Sequence, residues 1–290
     1  MSDDPFVTHR GLLFTVAYEM LGSAADAEDV VQETWLRWVG VDQDEVRDPR
    51  AFLVRVVTRQ ALDRMRKVSR QRETYVGEWL PEPLLTTPDV AEDVELAESV
   101  SVAMLTVLET LGPSERAIFV LREVFEEPYD EIAQAVDKTP AAVRQIAHRA
   151  REHVAARRPR MQVSRAEQLA AAEAFRGAVQ SGDLQGLLDV LAPDVVLVAD
   201  GGGVASAVRH PISGAERVCR LLVLLAKVAP DARVRAMWLN GAPALCLEID
   251  GELDTAISLR VEDRGITGIY AVRNPDKLAR LGTTMQLSRN

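Results

Sequence analysis

The sequence predicts a multidomain protein: two all-α units, the second holding a helix-turn-helix, followed by an α+β domain with a curved sheet wrapped around a helix. Three observations predict it. The chain has 290 residues, more than one domain usually holds. Apolar positions recur at three and four through residues 6 to 72 and again from about 99 to 156, which is helical spacing. Beyond residue 164, short runs rich in Val, Ile and aromatics are divided by Asn-Gly, Asp-Gly and Arg-Gly pairs, the mark of antiparallel hairpins.

Composition narrows the function. A net charge of −10 argues against a free-standing DNA binder, which is usually basic enough to displace counterions from phosphate. Any basic surface must be local. Cys219 and Cys246 lie far apart without metal-ligand spacing, so they read as buried free thiols, and neither a disulfide framework, a metal site nor a cofactor is expected. The N-terminus lacks a basic stretch followed by a long apolar one, and no run reaches 18 apolar residues. A soluble, cytoplasmic protein with no membrane partner is expected.

The first unit, residues 1–72, places Leu12, Leu13, Val16, Ala17, Met20 and Leu21 on a helical face. Next comes DAEDVVQETWLR (26–37), in which four of five ionisable side chains are acidic. Ala27, Val30, Val31 and Trp35 are expected to be buried, with Asp29, Gln32, Glu33 and Arg37 projecting as a polar patch. Residues 48–72, by contrast, carry eight Arg or Lys against two Asp. An acidic helix cannot bind DNA, but it can bind a basic protein that itself holds DNA, leaving the basic segment for the nucleic acid. Residues 73–98 hold three prolines and a dense acidic run and read as a linker.

The second unit, 99–160, contains YDEIAQAVDKTPAAVRQIAHRAREHV (129–154). Ile132, Ala133 and Val136 mark the inner face of a first helix. Thr139 and Pro140 then supply the N-cap and first-turn proline of a second. There Val143, Ile146, Ala147 and Ala150 face inward, leaving Arg144, Gln145, His148, Arg149 and Arg151 to reach bases and phosphates in a major groove. Asp137 stands in the turn where glycine is frequent, and aspartate tolerates the left-handed conformation. From Ala141 to Arg160 six arginines face one acid. In the third domain, 164–290, Ser164 and Glu167 form a capping box at the start of two helices. A strand, the helix GAERVCRLLVLLAKVA and four more strands follow.

These motifs, in this order, resemble the extracytoplasmic-function sigma factors of bacterial RNA polymerase. The resemblance implies that Asp26, Asp29, Gln32 and Glu33 dock on core polymerase. It implies that Arg55, Arg59, Asp63, Arg64, Arg66 and Lys67 open and read the −10 element of promoter DNA. Thr139, Arg144, Gln145, His148, Arg149 and Arg151 correspond to the −35 reader. The resemblance continues into the subgroup with a C-terminal SnoaL-like domain, of the fold shared with nuclear transport factor 2. Its signatures are WLPEP (Trp79, Pro81, Glu82, Pro83), DGGG (Asp200, Gly201, Gly202, Gly203) and NPDKL (Asn274, Pro275, Asp276, Lys277). Val204 follows DGGG where the subgroup often has lysine. The subgroup implies that the extra domain replaces a separate anti-sigma factor. WLPEP, an aromatic with a nearby carboxylate on a semi-rigid Pro-rich segment, is then expected to dock on that domain as a clasp, and the DKLARL segment to fix the mouth of the sheet or touch the linker.

A promoter-specific initiation factor accounts for all three segments. A one-component DNA-binding regulator leaves DAEDVVQETWLR unexplained, and an enzyme accounts only for the last third. Relatives of cone domains use an Asp or His pair as acid and base. Here the domain's one histidine, His210, and the turn residue Asp200 have no well-spaced acid/base partner, so catalysis is not expected. A small-molecule ligand in the cone stays open.

Overall fold

The computed structural model describes residues 4–72, 75–157 and 163–289. Two compact units share the chain. The helical unit takes residues 1–73, 105–158 and 286–290; the α+β unit takes 74–104 and 159–285.

In the helical unit α1 (Pro5–Leu21), α2 (Ala24–Val39) and α3 (Pro49–Arg72) pack together. Asp4 caps α1 by accepting from Phe6 N, and Ser23 caps α2 by accepting from Asp26 N. Leu12, Leu13, Val16, Ala17 and Met20 are fully buried, as their spacing predicts. Three helices enter through the other part of the unit: α6 (Pro113–Phe119), α7 (Tyr129–Val136) and α8 (Pro140–Ala155), after the short α4 (Val94–Ser99) and α5 (Val102–Leu108). A π-helical turn, Val120–Val124, follows α6. Asp137 ends α7 in the left-handed region (φ 54°) and Thr139 caps α8 by accepting from Ala142 N, so the turn forms as its sequence predicts.

In the α+β unit, α9 (Arg165–Ser181) starts on the Ser164–Glu167 capping box. Then come α10 (Leu184–Val190), β1 (Leu191–Asp200), the two-residue β2 (Ile212–Ser213), α11 (Ala215–Val228), β3 (Arg233–Leu239), β4 (Ala242–Ile249), β5 (Glu252–Glu262), β6 (Gly265–Val272) and α12 (Pro275–Leu278). The sheet order is β2-β1-β6-β5-β4-β3, antiparallel except for β1 with β6. Asn240-Gly241 and Asp250-Gly251 both adopt positive φ, as two-residue hairpins demand.

Alternation along the strands makes two apolar faces. Leu197, Leu245 and Ile269 pack with Phe175, Leu187, Val218 and Leu222 from α9, α10 and α11. The opposite face presents Ala244, Cys246, Ala256, Tyr270 and Val272 to Leu80, Val102, Ala103, Leu278 and Leu281. The segment expected as a linker is therefore a layer of the α+β unit. Its prolines fix an extended path, and the leucines between them insert: Leu80 and Leu84 are buried. The Asn240 hairpin tip holds it in place. Asn240 Oδ1 accepts from Leu84 N at 3.0 Å, its Nδ2 donates to Val100 O at 2.8 Å, and Gly241 N donates to Thr86 Oγ1 at 3.0 Å. Among the described residues, no helix is long and apolar enough to cross a membrane.

Asn240→Gly keeps the positive φ but removes both side-chain bonds, leaving Leu84 N and Val100 O buried and unpaired. The expected loss is about 2 to 4 kcal/mol, read by chemical denaturation, with new protease cleavage appearing within 75–104.

Candidate functional site

Three surfaces carry the residues singled out in the sequence. On α2, Asp29, Gln32 and Glu33 are exposed. Ala27, Val30 and Val31 are buried as expected, but Trp35 is 43% exposed. Thr34 and Trp38 take the buried positions instead. Both polar groups are satisfied there, Thr34 Oγ1 by Val30 O (2.8 Å) and Trp38 Nε1 by Asp4 Oδ1 (3.0 Å). Trp35 thus joins Leu36 and Val39 in an exposed apolar strip beside the acidic patch.

Arg64 of α3 crosses to this patch. Its Nε donates to Asp26 Oδ1 at 2.8 Å, and its Nη2 reaches Asp26 Oδ1 at 2.5 Å and Asp29 Oδ2 at 3.2 Å. The hydrogen bond that Arg64 donates to Asp26 raises the Arg64 pKa, with burial opposing and the charges of Asp26, Asp29 and Glu33 adding to the rise. Two residue sets read as separate in the sequence therefore meet at one guanidinium. Farther along α3, Asp63 pairs with Arg66 at 3.0 Å and Lys67 is exposed.

At the other end of that face the two halves of the helical unit touch. Arg55 Nη1 donates to Gln134 Oε1 (2.9 Å) and Arg59 Nη2 to Gln134 O (2.7 Å) on α7. Arg50 pairs with the buried Glu127 at 2.6 Å, and the buried Arg116 donates from Nε to Glu19 O at 2.8 Å. An open groove of about 550 Å³ runs between Arg55, Arg59, Asp130, Gln134, Asp137 and Lys138. On α8, Arg144, Gln145, His148, Arg149 and Arg151 are all exposed. Arg151 is held by Glu123 (2.7 Å), while His148 lies 3.6 Å from Glu152. Gln134 carried no sequence signal, being one polar residue on a helix whose inner face alone was patterned.

The third surface lies in the α+β unit, around a fully buried carboxylate. Asp200 ends β1. Its Oδ1 accepts from Tyr75 Oη at 2.5 Å and Gly202 N at 3.0 Å; its Oδ2 accepts from Leu80 N at 2.9 Å and Lys277 Nζ at 2.6 Å. Lys277 also donates to Leu80 O at 2.5 Å, and its ammonium lies 4.2 Å from the centroid of the Trp79 ring, a cation–π distance. Asn274 Nδ2 donates to Tyr75 Oη at 2.9 Å, and the Asn274 backbone N donates to Asp200 O at 3.0 Å. The three motifs that the resemblance singled out thus meet at one point. Pro81, Glu82 and Pro83 are buried beside it, while Pro275 and Asp276 are exposed.

The glycines of DGGG have a steric reason. A Cβ on Gly202 (φ +64°) would sit 2.4 Å from Asn274 Nδ2, and one on Gly201 would sit 2.3 Å from Ala205 O. Gly203 (φ +74°) faces Val76. Tyr75 was missed in the sequence; its one signal was an aromatic four residues ahead of WLPEP. His210 is exposed.

Comparison with known proteins identifies this arrangement. The family models for Sigma-70 region 2 and Sigma-70, region 4 match residues 6–71 and 101–154. The fold and these surfaces therefore define a sigma-70-type initiation factor. The ECF RNA polymerase sigma factor SigJ of Mycobacterium tuberculosis is 36% identical over 96% of this chain and 93% of its own length. A probable ECF sigma factor of the same species, SigI, is 32% identical over 93% of this chain and 92% of its own. The crystal structure of Mycobacterium tuberculosis SigJ superposes with a TM-score of 0.76 at 32% identity, covering 94% of this chain and 97% of that one. The chain belongs to the extracytoplasmic-function RNA polymerase sigma factors. It is a promoter-specific initiation factor with a fused C-terminal α+β domain, and the relatives it matches over nearly their whole length are sigma factors rather than enzymes.

Lys277→Met leaves the Asp200 carboxylate buried without its counter-charge, at an expected cost of about 3 to 5 kcal/mol to the α+β unit, measured by denaturant titration. Burial, reinforced by the bond to Asp200, raises the Tyr75 pKa. The stability that Tyr75 contributes is therefore whole below the ordinary tyrosine value of about 10 and is lost as pH rises beyond it. Titration followed by tyrosinate absorbance should show late-ionising tyrosines, the buried Tyr270 and Tyr75 among them, and Tyr75→Phe should remove one of them.

Proposed function

We propose that this sigma factor is regulated within its own chain, by a SnoaL-like domain that grips the segment between its two sigma regions. The observation that carries this reading is Asp200, a buried carboxylate bound at once to Tyr75, Leu80 N and Lys277. Segment 73–98 then acts as a strap between region 2 (1–72) and the helix-turn-helix unit (99–160), with the regulatory domain at 164–290. The SnoaL-like assignment is supported by the order of two helices, a long strand and the two-residue β2, a helix and four strands, together with DGGG and NPDKL at the clasp.

The partners are core polymerase and promoter DNA. Asp26, Asp29, Gln32 and Glu33, with the neighbouring Trp35, form the polymerase-docking face. Arg55, Arg59, Asp63, Arg66 and Lys67 read the −10 element, and Arg64 links that set to the docking face through Asp26. On α8, Arg144, Gln145, His148, Arg149 and Arg151 read the −35 element behind the Thr139 cap. A ligand-processing role has little support. The cleft beside Gln168, Arg260 and Tyr270 measures about 20 Å³, room for about one water, where ligand pockets run to several hundred.

Runoff transcription with purified core polymerase tests the regulatory reading. Asp200→Asn and Trp79→Ala should shift activity in the same direction as one another, and His210→Ala should leave it unchanged. A large His210 effect with a silent Trp79→Ala would favour a sensor or enzyme instead. Asp29→Arg with Glu33→Arg should abolish capture by core polymerase while costing no more than about 1 kcal/mol of stability, because the reversed charges lie on an exposed helix face. Arg144→Ala, Gln145→Ala and Arg149→Ala combined should remove −35-dependent initiation. For Arg149→Ala alone, a base contact predicts a loss of roughly 1 to 3 kcal/mol confined to one base pair, and a phosphate contact an even loss across sequences.

A further inference from the structure

The last residues of the chain rejoin the helical unit, although nothing in their sequence marks them. Residues 286–290 cluster with α1 and with the α6–α8 half rather than with the sheet from which they emerge. The backbone N of Ser288 donates to Thr15 Oγ1 at 3.0 Å. Thr15 is fully buried and spends its own proton on Gly11 O at 2.8 Å. A hydroxyl donates once and accepts on its lone pairs, so the Ser288 N–H meets an acceptor that faces it.

Gly11 shapes the seat. A Cβ there would stand 3.3 Å from Ser288 Cβ and 3.7 Å from Gln286 O, so a side chain larger than methyl would collide with the tail. One residue on, Arg289 Nε donates to Val124 O at 3.1 Å. Val124 closes the π-helical turn after α6, where carbonyls have run out of partners along the helix.

Two consecutive tail residues therefore bond to two different sigma regions: Thr15 lies within the region 2 match and Val124 within the region 4 match. We propose that residues 286–289 are an intramolecular docking peptide that staples region 2 to region 4. It holds the pairing in which Gln134 occupies Arg55 and Arg59, and its release is one step in freeing those side chains for promoter DNA. The tail's root is set by the strap, since Thr284 bridges to Leu85 and Met285 N donates to Leu85 O at 2.9 Å. Undocking the strap removes the anchor immediately before the staple. The proposal does not depend on the Asp200 clasp being regulatory, because the two bonds it rests on lie within the helical unit.

Two variants of the full protein test it: a chain ending at Met285, and Gly11→Leu, which blocks the seat while keeping the tail and improving helix propensity. Hydrogen–deuterium exchange of α7 and affinity for core polymerase are the readouts. With at least two hydrogen bonds of ordinary net strength lost, exchange at α7 should rise about tenfold or more in both variants and core affinity should tighten by a similar factor. A synthetic peptide of residues 281–290 added to the truncated chain should restore protection of α7, and should not do so for Gly11→Leu. Unchanged α7 exchange and core affinity in the truncated chain would overturn the proposal. So would a rise in exchange that spreads through the amides of α1, because that marks support for region 2 alone rather than a bridge between regions.

Discussion

The α+β unit is organised around one buried negative charge. Taking a carboxylate out of water costs several kcal/mol unless donors and a counter-charge replace the lost hydration. Asp200 receives four donors, from Tyr75, Gly202, Leu80 and Lys277, and each fixes something else. Leu80 N fixes the strap at the point where its leucine enters the sheet's second apolar face. Lys277 fixes α12 and spreads its charge over Trp79. Gly202 N requires a tight turn with positive φ, and Asn274, packed against that turn, forbids any side chain there. Remove the charge and the geometry of three separated chain segments loses its common reference.

The helical unit uses charge differently. Its ion pairs are mostly half-exposed, and such pairs contribute little to stability. The pairs of Arg64 with Asp26 and Asp29, and the exposed hydrogen bond of Arg55 to the neutral Gln134 amide, can therefore be exchanged at little cost for contacts with another macromolecule. The net charge of −10 fits that economy. Basic groups on α3 and α8 are local, several are already engaged by acids or amides, and the acidic α2 is left open beside an apolar strip. A net negative charge of this kind opposes long-range attraction to polyanions, which fits the proposed division in which a basic partner supplies it.

Much of this was legible in the sequence, for identifiable reasons. Helical periodicity, the Thr139–Pro140 start of α8, the Ser164–Glu167 box and the Asn-Gly and Asp-Gly hairpins are local signals, and local signals survive folding. Trp35 misled because the burial of α2 follows 27, 31, 34 and 38, so that a threonine with its hydroxyl satisfied by its own helix displaces an aromatic. Residues 73–98 misled more deeply. Three prolines and an acidic run are the ordinary marks of a linker, and the leucines between them are too few and irregular to show a period. Their burial is decided by a sheet more than a hundred residues away, as are the partners of Tyr75, Asn240 and the tail. Contacts of that span leave no trace in spacing.

On the proposed reading, a docked strap limits what the two sigma regions can do. Free, the segment from 75 to 104 would extend by about 3.3 Å per residue, allowing the regions to part by up to ~100 Å. Docked along the sheet by Asp200 at one end and Asn240 at the other, it loses that slack. The entropic cost of closing a loop grows only with the logarithm of its length, so the balance between docked and released is set by the clasp bonds rather than by the chain. On that reading the α+β unit need not cover a side chain proposed for DNA or polymerase at all. It suffices that the same residues which satisfy a buried carboxylate also consume the length of chain that the two promoter-reading regions need in order to separate.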